Sequence, residues 1–234
     1  MRSPKSLVTA VFILFIFAAS PAYALSIGMV DTFEDGTVQN WTVNLLGMGV
    51  SQAPPVNVPT GGPAGVNDNY LLLSSIGGTG NGSRLAGANL AQWAGDYIAS
   101  GIGTIAMNVN NLGSTNLFLR LAFEDPTLGP PNNIAFSSNA IMVPAGSGWT
   151  AIAFPVSPGS LTAGIGNVET ALHNTTLLRL YHSETANFPN PMNRIPAIVA
   201  QLGVDNIAAV PEPATLGLLG GGLLAALSRR KRRT

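Results

Sequence analysis

The chain is 234 residues long, with a formal net charge of zero, 9% charged residues and no cysteine. Without cysteine there is no disulfide framework and no thiolate nucleophile, so the fold rests on an apolar core, for which this length is ample. The zero charge averages unlike pieces: between Leu25 and Ala209 four arginines face ten acidic residues, a net of −6 with no lysine, which excludes a nucleic-acid binder.

The chain begins with a positive pair, Arg2 and Lys5, then an apolar run over residues 7–19, then Ala22-Tyr23-Ala24. A basic start, a short apolar core and a small-x-small site at Ala22 and Ala24 predict a secretory signal peptide over residues 1–24. Cleavage after Ala24 starts the mature chain at Leu25. Residues 25–209 show no internal repeat and no break in composition, and are expected to form one domain.

That domain reads as all-β. The sequence Phe33-Glu34-Asp35-Gly36 precedes Trp41, and residues 54–65 form a Pro/Gly loop. A strand is predicted over residues 70–75. Trp93 and Tyr97 lie in a Gly/Asp-containing segment and are the candidate exposed aromatic platform for a sugar ring, whereas Trp41 and Trp149 lead into apolar strands and are expected to cap the core. Residues 105–110 and 117–124 alternate in polarity and are predicted to pair as a hairpin across residues 111–115. In the second, Leu117, Leu119, Leu121 and Phe123 share one face, and Phe118, Arg120, Ala122 and Glu124 the other. Further strands are expected at 140–143, 150–156, 177–182 and 204–210, with one short helix over 167–173 capped by Asn167. Short strands separated by turns argue for a β-sandwich or jelly roll.

Nothing compact enough for catalysis emerges. His173 and His182 are nine residues apart, which is no metal-binding spacing. No G-x-S-x-G elbow is present, and the glycine-rich residues 77–82 lack the Lys-Ser/Thr of a phosphate loop. Glu124 and Asp125 are adjacent on a strand and point to opposite faces, which argues against a glycosidase pair. The chain is therefore read as non-enzymatic, the alternative being a hydrolase whose site has no recognisable motif.

The tail has three parts. Val210-Pro211-Glu212-Pro213 is followed by an apolar stretch over residues 214–227 and then by Arg229, Arg230, Lys231, Arg232 and Arg233. Fourteen residues span roughly 21 Å as a helix, against a bilayer core of about 30 Å, so this is a short transmembrane helix. The five basic residues form a stop that stays cytoplasmic. The prolines keep the chain extended ahead of the span.

This three-part order resembles the PEP-CTERM sorting signal of Gram-negative bacteria that make exopolysaccharide. The resemblance covers residues 210–234. It implies an exported surface or extracellular matrix protein of the biofilm type, held transiently at the inner membrane and then cut near Val210, Pro211, Glu212 and Pro213 by an exosortase-type transpeptidase. The opening Phe33-Glu34-Asp35-Gly36 with Trp41, and the closing Val204-Asp205-Asn206-Ile207, resemble the first and last strands of jelly-roll domains of the carbohydrate-binding-module type. That resemblance implies that the first and last strands lie side by side. It also implies a structural calcium held by Glu34 and Asp205, and an extracellular polysaccharide as partner, bound in the alternative reading by Trp93 and Tyr97.

Overall fold

The computed structural model describes residues 25–43, 53–79, 82–126, 131–186 and 196–212. The predicted signal peptide with Ala22 and Ala24, residue Pro213, the predicted apolar span and the basic stop at Arg229, Arg230, Lys231, Arg232 and Arg233 lie outside them. Among the described residues no helix is long and apolar enough to cross a membrane.

The domain is an all-β sandwich of two antiparallel sheets. In chain order its strands are β1 (Val30–Asp31), β2 (Trp41–Thr42), β3 (Val56–Val58), β4 (Tyr70–Ile76), β5 (Ala86–Asn89) and β6 (Ile102–Asn111). Then follow β7 (Leu117–Asp125), β8 (Asn133–Ser137), β9 (Ile141–Val143), β10 (Trp149–Pro155), β11 (Leu161–Ile165), β12 (Leu177–His182) and β13 (Val199–Pro211). A short α-helix, α1 (Val168–His173), precedes β12. Asn167 caps it as expected, its side-chain oxygen accepting from the amides of Glu169 and Thr170.

The first sheet runs β10-β6-β13-β4-β3, with β1 also on β13; the second runs β11-β8-β7-β12-β5-β2, with β9 on β7. Alternate residues of the strands build the core. Leu117, Leu119, Leu121 and Phe123 of β7 are fully buried and meet Leu71 and Leu73 of β4, Ile105 and Val109 of β6, and Leu202 and Val204 of β13 in one apolar cluster. Burying such side chains is worth about 1.5–3 kcal/mol each, which is how a chain without disulfides holds two sheets together.

The predicted hairpin between β6 and β7 does not form. The two strands belong to opposite sheets, and the intervening turn carries the chain across the sandwich. Asn111 fixes that crossing: its Nδ2 donates to the carbonyls of Thr115 and Val143, and its Oδ1 accepts from the Gly113 amide. Alternation specifies that a strand has one buried face; it does not specify which sheet supplies its neighbour. The first and last strands do lie side by side, as the resemblance implies, with Val30 opposite Ala208 and Asp31 opposite Ile207.

Candidate functional site

Trp93 and Tyr97, the predicted sugar platform, are each 0% exposed. Tyr97 packs edge-to-face on Phe123 with ring centroids 4.9 Å apart, and its hydroxyl donates to the Trp93 carbonyl. The Trp93 indole N–H donates to Asp31 at 2.7 Å. Every face and polar handle of this pair is committed to the interior, so the expectation of an exposed platform there is corrected. Its local sequence is turn-like, but the segment folds inward because Asp31 supplies a buried acceptor for an indole that would otherwise strand its N–H.

The aromatic pair that faces outward lies on the first sheet. Register places Trp149 opposite Asn110, Asn110 opposite Gly203, Gly203 opposite Leu72 and Leu72 opposite Val56. Residues directly opposite share a face, and their sequence neighbours Val109, Leu202, Val204, Leu71 and Leu73 all point into the core. This row is therefore on the outer face. Trp149, expected to cap the core, is instead half-buried there beside Tyr70, with ring centroids 5.3 Å apart at 78°. Gly203 makes the pairing possible: a β-carbon on it would lie 3.0 Å from Trp149 Cη2 and 3.3 Å from Tyr70 Cδ2. The indole N–H donates to the Gly61 carbonyl at 2.8 Å, which ties the Trp149 ring to the 59–69 loop. Asn108 and Asn110 stand half-exposed on the same face, and the Nδ2 of Asn206 donates to Asn108 Oδ1. Half-exposed rings with amides beside them combine an apolar stacking surface with hydrogen-bonding groups.

Asp205 shares this face, opposite Asn108, and is almost fully buried. A bulge follows it, where Asn206 takes a left-handed backbone at φ 51°. Asparagine tolerates that conformation, which accounts for the Asp205-Asn206-Ile207 sequence and returns Ile207 to the core. The Asp205 carboxylate accepts from the amide and the side-chain nitrogen of Asn206. Burial first, and then repulsion from Asp68 and Glu34, push its pKa up to about 7. Glu34 Oε1 accepts from the Asn69 amide. Among the described residues no three acidic or histidine side chains converge to hold a metal ion. Glu34 and Asp205 are thus within electrostatic reach of each other, but their side chains alone do not build the many-oxygen shell that calcium requires.

Several further titratable groups have structural partners. Glu124 pairs with Arg179 at 2.6 Å, and Asp125 accepts from Asn133. His182 Nδ1 accepts from the Phe118 amide, which leaves the imidazole neutral, and burial lowers its pKa. Arg120 donates from Nε to the Ser183 carbonyl and from one terminal nitrogen to those of Ser137 and Ser138. It clamps the ends of β8 and β12. Sequence reasoning placed Arg120 and Glu124 on one face of β7 but had no signal for either tie.

The sorting tail joins the fold at β13. Val210 pairs with Thr104 and Pro211 with Ile102, so two residues of the motif complete the last strand.

Residues 209–233 match the PEP-CTERM protein-sorting motif, which marks an exported protein sorted at the cell envelope. No curated protein matches the chain. Among solved structures, an exo-β-agarase is similar over 80% of this chain at 14% identity and a TM-score of 0.54, and this chain covers 26% of the agarase. A family 11 carbohydrate-binding module from Clostridium thermocellum, in complex with a β-1,3-1,4-mixed-linked tetrasaccharide, is similar over 80% of this chain and 99% of its own at 16% identity and a TM-score of 0.47. The Caldicellulosiruptor saccharolyticus CBM27-1 in complex with mannohexaose is similar over 79% and 97% at 15% identity and a TM-score of 0.42. At these identities the likeness is one of fold.

Proposed function

We propose that residues 25–209 form a non-enzymatic, jelly-roll carbohydrate-binding domain of an exported protein. An exosortase-type transpeptidase processes its tail, and the domain associates with extracellular polysaccharide through the outer face of the first sheet. The half-exposed Trp149–Tyr70 pair over Gly203 carries this reading, because it is the stacking surface that Trp93 and Tyr97 do not supply. Asn108 and Asn110 add hydroxyl-binding groups beside it. The net charge of −6 and the absence of lysine favour a neutral polymer over an acidic one.

Retention of residues 25–212 on mixed-linkage glucan, mannan, agarose and the producer's own polymer tests the reading. Trp149→Ala is expected to weaken binding at least tenfold, about 1.4 kcal/mol. Gly203→Val, which inserts a side chain between the two rings, is expected to do the same with Trp149 intact. Retention on no polymer, or retention unchanged in both variants, overturns the sugar-binding reading. Processing without retention supports a matrix protein lacking a sugar site, and turnover of a chromogenic glycan or ester supports the hydrolase.

Calcium at Glu34 and Asp205 is a separate proposal, supported by the mutual repulsion of Asp205, Asp68 and Glu34. A cation that binds only the folded state raises its melting temperature. The expected result is a melting temperature that rises with added calcium and falls reversibly with chelator. A melting curve unmoved by either rules calcium out.

A further inference from the structure

The sorting motif is not a free linker. Its first two residues, Val210 and Pro211, are paired with Thr104 and Ile102 on β6 and are half-buried. Ala209, just ahead of them, is held on the opposite side by the N-terminal segment: its carbonyl accepts from Gly28 and its amide donates to Met29, both at 2.9 Å. Beyond the strand, Glu212 lies directly across Gly103. A β-carbon on Gly103 would sit 2.6 Å from Glu212 Cα and 2.8 Å from its backbone nitrogen, so only glycine leaves room for this path. Glu212 also borders a cavity of about 310 Å³ lined by Ile98, Gly101, Val156, Pro158 and Leu172. Between Ile98 and Gly101, Ser100 Oγ donates to the carbonyl of the buried Leu25.

We propose that the folded domain latches Val210, Pro211 and Glu212 in this Gly103 seat and so competes with the transpeptidase for its own sorting motif. A peptidase binds its substrate extended, through backbone groups and alternate side-chain pockets. Here the backbone of Val210 and Pro211 is already committed to β6. The enzyme gains the motif only when the end of β13 frays, and its apparent affinity is reduced by the fraction of time that the end is free. It then breaks a peptide bond in or just beyond the motif. The amine of the departing apolar segment is the leaving group, and the acyl group of the domain passes to water or to an amine acceptor. The latch rests on the sorting reading above for its consequence, but not for its existence.

Two variants of the full chain, expressed in an exporting bacterium that carries the transpeptidase, test the latch. Gly103→Val forces Glu212 out of its seat. Six Gly/Ser residues inserted between Ala209 and Val210 free the motif without touching the domain interior. Both are expected to be processed severalfold to about tenfold faster than the parent chain. The insertion keeps the test informative if Gly103→Val folds poorly. Processing of the insertion variant at the parent rate overturns the proposal. Processing of none of the three chains overturns the sorting reading instead. The latch is then read directly from the Val210 amide order parameter of the parent chain in detergent: about 0.85 is expected for a latched strand, and below about 0.6 refutes it.

Discussion

Replacing Asp31 by alanine is expected to destabilise the domain by about 3–5 kcal/mol, the largest loss from any single side chain considered for this fold. Asp31 is buried on the first strand, and its carboxylate gathers three donor groups from two places in the chain. Trp41 Nε1 donates at 2.8 Å, Trp93 Nε1 at 2.7 Å, and Gln92 Nε2 at 3.1 Å to both oxygens. Burial pushes the carboxyl above its usual range, and the two indoles and the amide pull it back. Alanine would leave both indole N–H groups without an acceptor, each costing about 1–3 kcal/mol and only partly relieved by entering water, and would leave Gln92 Nε2 with the Gln39 carbonyl alone. In a domain of this size 3–5 kcal/mol corresponds to a fall in melting temperature on the order of 10 °C. Asp31→Asn is expected to fall between parent and alanine, because an oxygen kept at the Oδ2 position still accepts from both indoles while the new N–H faces Gln92 Nε2. Thermal denaturation followed by tryptophan fluorescence checks both. A loss below about 1 kcal/mol for Asp31→Ala would show that the indoles find other partners and that the knot does not organise this end of the sandwich.

The Asp31 knot also shows where sequence reading stopped. The alternation of Leu117, Leu119, Leu121 and Phe123 was legible because period-two burial is a local property. Each of those residues is in the core. The strand over residues 177–182 and the Asn167 cap were legible because they too are local. Trp41 is buried in the core as expected, but Trp93 and Trp149 were not legible. Trp93 and Trp149 both sit near turn-like sequence, and nothing local tells which one faces solvent. Trp93 goes inside because an acid 62 positions earlier accepts its N–H. Trp149 stays outside because a glycine on a neighbouring strand makes room for it. Both reasons are long-range, and both depend on register. The adjacency of the first and last strands came from resemblance to a family, not from periodicity, since β1 is only two residues long. Short strands such as β5 and β8 went unread because their alternation is too brief to stand out.

Asp205→Asn is expected to stabilise the domain, by an amount that grows with pH. The folded-state pKa of Asp205 lies at about 7, against 3.8 unfolded. Between those values the folded state keeps a proton that the unfolded state has released, so the contribution of Asp205 is full below about pH 4 and is lost as pH rises through about 7. From pH 5 to pH 8 this amounts to about 2–3 kcal/mol at most, on the order of 5–10 °C in melting temperature. Desolvation is the first cause and repulsion from Asp68 and Glu34 adds to it; the hydrogen bond from the Asn206 amide opposes them. Asparagine removes the charge while keeping an acceptor for the Asn206 amide, so the variant's advantage over the parent should be small near pH 5, where the parent has lost only the first part of this contribution, and largest near pH 8. His182 works in the other direction. Its pKa is lowered by burial, so its contribution is full above about 6.5 and is lost as pH falls. The parent domain is therefore pulled down on both sides of neutrality, by the imidazole in acid and the carboxyl in base, and Asp205→Asn should relieve only the second. Melting curves of parent and variant at pH 5 and pH 8 in chelator give the difference without interference from cations. Calcium added at pH 8 then separates the sources: a bound cation would offset the repulsion in the parent and narrow its gap to the variant. A gap equal at both pH values would show that Asp205 stays ionised throughout and is stabilised by groups other than those facing it here.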